Sequence, residues 1–408
     1  MIKKIILGSL ILSSVGLFAQ TEPQHETNFE LGSGLNFSLN EGKYQFNLGG
    51  MIQPNIAFEQ LEDEDADYFL NSRRTYFNFS GKAVEEKVSF FFQLDYSLSS
   101  PLLDAWIGFH PTDVFNIYFG QKQTLGNNRE MMVMENYLQF PGRSILSTNF
   151  SQSGREFGVF MDYTLGTESF AIVPQIAATS GDGRNSFGAD SRDVDLGGLK
   201  YAARLDIYPL GKFSEGNDQS LADLAHEESP KILLGAAASF NDGASGIVGE
   251  SHGDFFLYNQ DGDDQLPDYR QLYADLLVKY KGFSLLGEYN VSTATNLDGS
   301  FLDVTASTEL DPTQISEFLA LGTGMNVQLG YVTESGYALD LRYAMTTPEF
   351  EENFNSVLAE QTAATVGLSK YFKGNALKLQ LAATSIETTI GDVSANLIRG
   401  EILMSLVF

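Results

Sequence analysis

The feature that most constrains this chain is a repeated segment of about ten residues in which apolar and polar side chains alternate. The last one is the clearest. Ile398, Gly400, Ile402, Met404, Leu406 and Phe408 fall on one face, and Arg399, Glu401, Leu403, Ser405 and Val407 on the other. Side chains alternate along a strand, so such a segment is a β-strand with one apolar and one mixed face. Leu377, Leu379 and Leu381 oppose Lys378 and Gln380 in the same way, Phe90, Phe92 and Leu94 oppose Gln93 and Asp95, and Tyr337, Leu339 and Leu341 oppose Asp340 and Arg342. From Lys43 to the end the pattern recurs about 16 times, an even number of the kind single-chain bacterial barrels use.

The N-terminus sets the compartment. Lys3 and Lys4 precede an apolar run from Ile5 to Phe18, and Ala19 offers a small residue before Gln20. This order predicts a secretory signal peptide over residues 1–19, cleaved near Ala19. Residues 20–42 read as an N-terminal arm, and residues 43–408 as one barrel domain. No later apolar stretch is long enough to cross a bilayer as a helix. A membrane protein without such helices must close its strands into a barrel, because hydrocarbon cannot satisfy open backbone groups. The predicted fold is therefore all-β: a transmembrane antiparallel β-barrel in the outer membrane.

The connections carry a second signal. Transmembrane barrels have short turns on one side and long loops on the other. Gly81 to Glu86, His110 to Val114, Lys281–Gly282 and Glu334 to Gly336 read as short inner turns. Leu61 to Ser72, Thr124 to Gly154, Gly181 to Gly198, Asp242 to Asp268, Asn296 to Gly324 and Pro348 to Thr362 read as long outer loops. Two connections break the alternation: Ser99 to Pro101 is short for an outer loop, and Gly211 to Pro230 is long for an inner one. Arg129 to Phe140 and Asp311 to Leu321 read as short helices within outer loops.

Charge and composition narrow the function. A formal net charge of −28 argues against nucleic acid, which needs a basic face. There are no cysteines, so thiolate metal sites and cysteine nucleophiles are excluded. The four histidines, His25, His110, His226 and His252, fall before the barrel or at turns and loops. None is placed by sequence as the oriented base of a hydrolase, so a non-enzymatic barrel without cofactor is expected.

Several strings resemble the phosphate-selective porin (porin O and P) family. These are Arg73-Arg74-Thr75-Tyr76-Phe77-Asn78-Phe79-Ser80-Gly81-Lys82, then Phe92-Gln93-Leu94-Asp95-Tyr96, Leu103-Asp104-Ala105-Trp106-Ile107-Gly108, Tyr118-Phe119-Gly120-Gln121-Lys122 and Gly154-Arg155-Glu156-Phe157-Gly158-Val159. Tyr371-Phe372-Lys373-Gly374-Asn375-Ala376-Leu377 continues the likeness near the end. The resemblance implies a homotrimer of 16-stranded subunits with the third loop folded into the pore. Thr124 to Gly154, the longest connection, is that loop by count.

A porin selects by pore width and by the field of its wall charges. The candidate pore-lining residues are Arg74, Asp95, Asp104, Lys122, Arg129, Arg143, Arg155, Lys200, Arg204, Arg342 and Arg399. Alternation sends Arg73 and Arg74 to opposite faces, so at most one of them is expected in the pore. Inward cations and anions balance overall, with a basic constriction expected near Lys122, Arg129, Arg143 and Arg155. Asp261, Asp263, Asp264 and Asp268 offer closely spaced oxygens of the kind calcium prefers, but without the spacing of a helix-loop-helix site they read as a solvated acidic loop. The sequence thus predicts an outer-membrane porin for passive diffusion of small polar solutes or ions, phosphate and other anions among them. Its partners are membrane lipid and, through terminal Phe408, the barrel-insertion machinery. The competing reading is a structural or adhesive surface barrel whose acidic loops bind calcium or a partner.

Overall fold

The computed structural model describes residues 26–185, 197–250 and 253–408. The predicted signal peptide lies outside the described residues. The alternating segments become strands. A hairpin of β1 (Glu26–Glu30) and β2 (Gly34–Leu39) is followed by β3 (Tyr44–Leu61), β4 (Asp67–Ala83), β5 (Val88–Asp95), β6 (Leu102–Thr112), β7 (Phe115–Gln123) and β8 (Arg155–Tyr163). The three-residue β9 (Leu165–Thr167) continues β8. Then come β10 (Phe170–Thr179), β11 (Lys200–Tyr208), β12 (Lys231–Asn241), β13 (Asp268–Tyr280), β14 (Phe283–Thr295), β15 (Gly322–Val332), β16 (Tyr337–Pro348), β17 (Glu360–Lys373), β18 (Leu377–Ile390) and β19 (Val393–Val407).

Each strand pairs antiparallel with its sequence neighbour, β8 passes to β10, and β19 returns to β3, where Glu401 faces Ala57 and Ile402 faces Ile56. The result is a closed antiparallel barrel of 16 strands. Closure removes the edges that an open sheet would expose. The seam is completed by other parts of the chain. Below the reach of β19, β2 pairs with the start of β3, Leu35 opposite Leu48. The backbone of Phe408 exchanges two hydrogen bonds with Gly50. The predicted N-terminal arm therefore contains a hairpin that extends the wall.

Outward positions are apolar and exposed: Leu339, Leu341, Leu368 and Ile402 stand on one face, while Asp340, Lys378, Gln380 and Ser405 are buried on the other. Near the short turns, Phe283, Tyr331, Tyr337 and Phe372 stand outside as an aromatic belt, with Phe283 and Tyr331 4.4 Å apart. This is the banding a bilayer imposes on a barrel.

The structure departs from the sequence reading in places. The predicted outer loop Leu61 to Ser72 shrinks to residues 62–66, because β4 begins at Asp67 and pairs along β3. Arg129 to Phe140 is not one helix: a single turn, α1 (Arg129–Met132), is followed by a 3₁₀ turn at Glu135–Tyr137. A later turn of the same loop is α2 (Ile145–Phe150), capped by the Ser144 hydroxyl. Asp311 to Leu321 holds a 3₁₀ helix at Pro312–Glu317 with an Asp311 capping box.

The expectation that Arg73 and Arg74 face opposite ways is wrong. Gln53 pairs with Arg74 and Pro54 with Ser72, so Arg73 is an extra residue in a β-bulge. Proline cannot donate to a ladder and is accommodated in sheets at such irregularities. The bulge breaks the alternation, and both guanidinium groups enter the lumen.

Candidate functional site

The lumen is divided by two inserted segments. Loop 3 (residues 124–154) folds inward from the long-loop side. Its Arg129 binds Asp275 at 2.9 Å and Asp206 at 3.1 Å, and Arg204 joins the same two carboxylates. The two aspartates outweigh the cost of burial and raise the Arg129 pKa, so this guanidinium stays charged. Glu130 takes hydrogen bonds from Ser144, Ser147 and Gln328 and pairs with Arg342 at 3.4 Å. Burial pushes its carboxyl up, but Arg342 and the two serines hold it below the usual range. Further along, Lys378 donates to the Leu138 carbonyl at 2.6 Å, and Phe140 lies under the Arg342 guanidinium, 4.5 Å away.

Apolar sockets complete the attachment. A side chain at Gly324 would meet the Phe150 ring at 2.7 Å, and one at Gly367 would meet Phe140 at 2.9 Å. The absence of a Cβ lets these rings lie flat on the wall. Leu146 and Phe150 also pack with Val248, Ala320 and Leu358. The methionine-rich and aromatic stretch of loop 3 is thus packed against the inner wall rather than left in water.

The second insert is the long inner connection, residues 209–230. It folds up inside the barrel. Lys279 on the wall holds the carbonyls of Asn217, Ser220 and Ala222, at 2.5, 2.5 and 3.0 Å. Leu221 packs with Val133, Leu138, Phe213, Leu233, Leu277 and Leu286, and its N–H donates to the Tyr137 carbonyl of loop 3 at 3.1 Å. The two inserts meet there. Together they fill the half of the lumen lined by β11–β18.

Among the described residues an opening lies between loop 3 and the wall of β4–β8. There a cavity of about 530 Å³ is lined by Arg73, Arg74, Arg143, Arg155 and Arg184, and by the carboxylates of Asp95 and Glu135. Five guanidinium groups face two carboxylates. Arg74 donates to Gln53 at 3.0 Å and to the Pro141 carbonyl at 3.4 Å, and among the described residues it has no ion pair. Arg143 binds Glu135 at 2.7 Å, Arg155 binds Asp104 at 2.9 Å, and Arg73 pairs with Glu401. Asp95 accepts from Thr75 N–H and from the Ser97 hydroxyl. Burial pushes the Glu135 carboxyl up, yet Arg143, Arg74 and Arg155 outweigh it and hold it well below the usual range. Burial and then the Arg155 charge push the Arg184 pKa down.

The candidate residues therefore separate. Arg74, Asp95, Arg143 and Arg155 line the opening, and Asp104 stands behind Arg155. Arg129, Arg204 and Arg342 anchor loop 3 instead. Lys200 is buried against Glu156 at 2.6 Å. Lys122 places its ammonium 4.7 Å from the Tyr118 ring centroid and also over Trp106 and Phe160. Arg399 pairs with Glu59 at 3.0 Å near the long-loop end of the seam. Sequence reasoning missed Arg73, for which Pro54 opposite the paired arginines was the available signal, and Arg184, which alternation cannot place because it sits in a loop. Among the described residues no three histidine or carboxylate side chains converge as a metal site would require, Asp261, Asp263, Asp264 and Asp268 included.

His110 is more ordered than its turn position suggests. Its ring bridges Ser89 at 2.7 Å and Asn116 at 2.6 Å, and Asn116 donates to Asp162 at 2.7 Å. The chain starts with the Ser–His pair of a serine hydrolase, but the amide of Asn116 stands where the acid would hold the imidazole, and Ser89 sits in the ladder between Lys82 and Gly108.

Solved structures share this architecture. The outer membrane channel DcaP of Acinetobacter baumannii aligns over 90% of this chain and 98% of its own, with a TM-score of 0.54 at 13% identity. The fold is that of outer-membrane barrels. Pseudomonas putida OprB aligns over 89% of this chain and 94% of its own, with a TM-score of 0.52 at 11% identity. The trimer form of OmpT, an outer membrane protein of Vibrio cholerae, aligns over 89% and 99%, with a TM-score of 0.50 at 11% identity. No family model and no curated protein matches the sequence.

Proposed function

We propose that this chain is an outer-membrane porin that passes small hydrophilic solutes by diffusion and favours anions. The observation that carries the reading is the arginine-lined opening between loop 3 and the wall of β4–β8. A pore selects by its width and by the charge at its narrowest part. Elsewhere the inward guanidinium groups are paired with carboxylates, in Arg129–Asp275, Arg204–Asp206 and Arg342–Glu130. The excess of guanidinium groups is local to the opening, so the strongly acidic whole chain is compatible with an anion-preferring passage. The likeness to an outer membrane channel supports the transport reading, and the likeness to a barrel solved in trimer form supports a homotrimer. The resemblance to phosphate-selective porins makes phosphate the first anion to compare with chloride.

The test is single-channel recording in planar bilayers with a salt gradient. The expected reversal potential has the sign of anion preference. A cation-preferring potential would overturn the selectivity, and a folded, inserted barrel that passes no current would overturn the channel. Native mass determination in detergent checks the trimer, which a monomer at all concentrations would refute.

A further inference from the structure

On the filled side of the lumen, inward apolar wall residues are covered: Leu233, Leu277 and Leu286 lie under Val133, Leu138, Phe213 and Leu221. On the β5–β7 wall a row of rings is only partly covered, Tyr118 packing beside Leu125 and Phe160. Phe91 of β5, Trp106 of β6 and Tyr118 of β7 follow one another across three adjacent strands, with centroids 5.8 and 5.1 Å apart and Tyr118 edge-on to Trp106. Gly108 makes room for this, since a Cβ there would stand 3.0 Å from the Tyr118 ring. Lys122 braces the row through its ring contacts. The three rings are half-buried and line a cavity of about 520 Å³ toward the short-turn end. Partly exposed aromatic surface facing an aqueous passage marks a place where something binds.

The rim of this cavity defines what binds. The hairpin contributes Asn28 and Asn36, β3 contributes Gln45 and Asn47, and the wall contributes Ser89 and His110. The amides and hydroxyls can donate or accept, the Glu26 carboxylate also reaches the rim, and both ring nitrogens of His110 are held by Ser89 and Asn116. The lysine in the lining, Lys82, is ion-paired with Glu86 at 2.7 Å, so the cavity is not built around an anion. The Ser89–His110–Asn116–Asp162 chain fixes the imidazole and hydroxyl in place. Apolar faces joined to a few placed polar groups are the composition of a small-molecule site.

We propose that this cavity is a saccharide-binding station. A pyranose ring has a C–H face to lay on Trp106, with Tyr118 standing edge-on beside it, and equatorial hydroxyls to exchange hydrogen bonds with the rim. A flat aromatic solute would match the rings but make no use of the polar rim. The station rests on the channel reading only for how the sugar arrives.

Trp106 is the sole tryptophan of the chain, so its emission reports from the row itself. The folded barrel in detergent is titrated with maltotriose. The expected result is a saturable change in Trp106 emission whose half-saturation rises tenfold or more in Tyr118→Ala and in Phe91→Ala, while Tyr118→Phe, which keeps the ring, stays within about twofold of the parent. Each variant is first shown to be folded by its barrel circular dichroism. No saturable change, an unaltered midpoint in folded Tyr118→Ala, or loss in Tyr118→Phe overturns stacking as the basis. Benzoate saturating the same signal at equal or lower concentration overturns the saccharide class. In bilayers, maltotriose should interrupt the current of the parent and not of Tyr118→Ala. Current without interruption, together with a silent Trp106, defeats the station and leaves the channel; a Trp106 response without current defeats the channel and leaves the station.

Discussion

Arg74 is the residue through which the selectivity of the opening is best measured. It is inward, it lies where loop 3 approaches β4, and it makes hydrogen bonds but no ion pair among the described residues. Its neighbours Arg73, Arg143 and Arg155 each have a carboxylate partner, so removing one of them would strand a charge. Arg74→Gln removes a unit charge without that complication. An ion passing about 6 Å from a single charge in water feels about 0.7 kcal/mol. At 0.15 M salt the Debye length is about 8 Å, which reduces this to about 0.3 kcal/mol. The effect has opposite signs for anion and cation, so their permeability ratio should fall by about 0.6 kcal/mol, roughly threefold. Arg74→Glu doubles the charge change and should lower the ratio roughly eightfold. The assay is the reversal potential of single channels in a potassium chloride gradient, with conductance as a check that the pore is intact. If both variants fold, conduct and keep the parent reversal potential, Arg74 does not face the ion path and the assigned opening is in the wrong place.

Three further outcomes follow from the same geometry. Arg129→Met leaves Asp206 and Asp275 short of a partner, and breaking a buried pair costs about 3 kcal/mol or more; loop 3 should loosen, seen as larger or noisier single-channel conductance and faster proteolysis between residues 124 and 154. Leu341→Arg puts a charge on the lipid face and should cost about 2–4 kcal/mol in denaturant titrations of vesicle-inserted barrel, whereas Leu341→Phe should be close to neutral. The inner insert should hold in mild acid: burial pushes the Glu227 carboxyl up, but hydrogen bonds from Asn217 and Ser214 outweigh it and hold its pKa below the usual value. A depressed carboxyl contributes fully above its unfolded pKa of about 4.3 and loses that contribution only as pH falls through the lower folded value. The protection of residues 213–227 against hydrogen exchange, relative to the intrinsic rate at each pH, should therefore be unchanged from pH 7 to about 5 and fall below about 4; lost protection already between pH 7 and 5 would contradict the assignment.

Much of the wall was legible because a strand repeats every two residues and a bilayer punishes polar groups on one side. The faces read for Leu377–Lys378, Tyr337–Asp340 and Ile398–Glu401 are those of the structure. Alternation failed at Arg73, where one inserted residue resets the count, and it has no purchase on loops. Whether an inward cation is available to solute was also not legible. Arg129 and Arg204 share two aspartates from different strands, and those partners meet only once β11, β13 and loop 3 are assembled. The length of Gly211 to Pro230 marked it as exceptional, but Lys279, whose ammonium holds it inside, is 49 or more residues further along the chain. The row of Phe91, Trp106 and Tyr118 was not legible, because their shared cavity depends on cross-strand register.

The seam between β3 and β19 also bears on how the protein comes to exist. Its partners, such as Leu61 and Leu397, lie at opposite ends of the chain, so this is the pairing with the longest loop to close. Contacts of such separation are slow to form, because the entropy of closing the loop is lost before the contact returns anything. Every other pair of neighbouring staves can zip from a turn or loop already made, but this one waits for both ends. Until it forms, β3 is a bare strand edge, with backbone groups ready to pair with any other chain. The β1–β2 hairpin changes that exposure. It is adjacent in sequence to β3 and can shield residues 44–48 before β19 is in place. A local hairpin thus covers, in the growing barrel as in the finished one, the stretch of the β3 edge that β19 never reaches, and leaves residues 51–61 to wait for the far end of the chain.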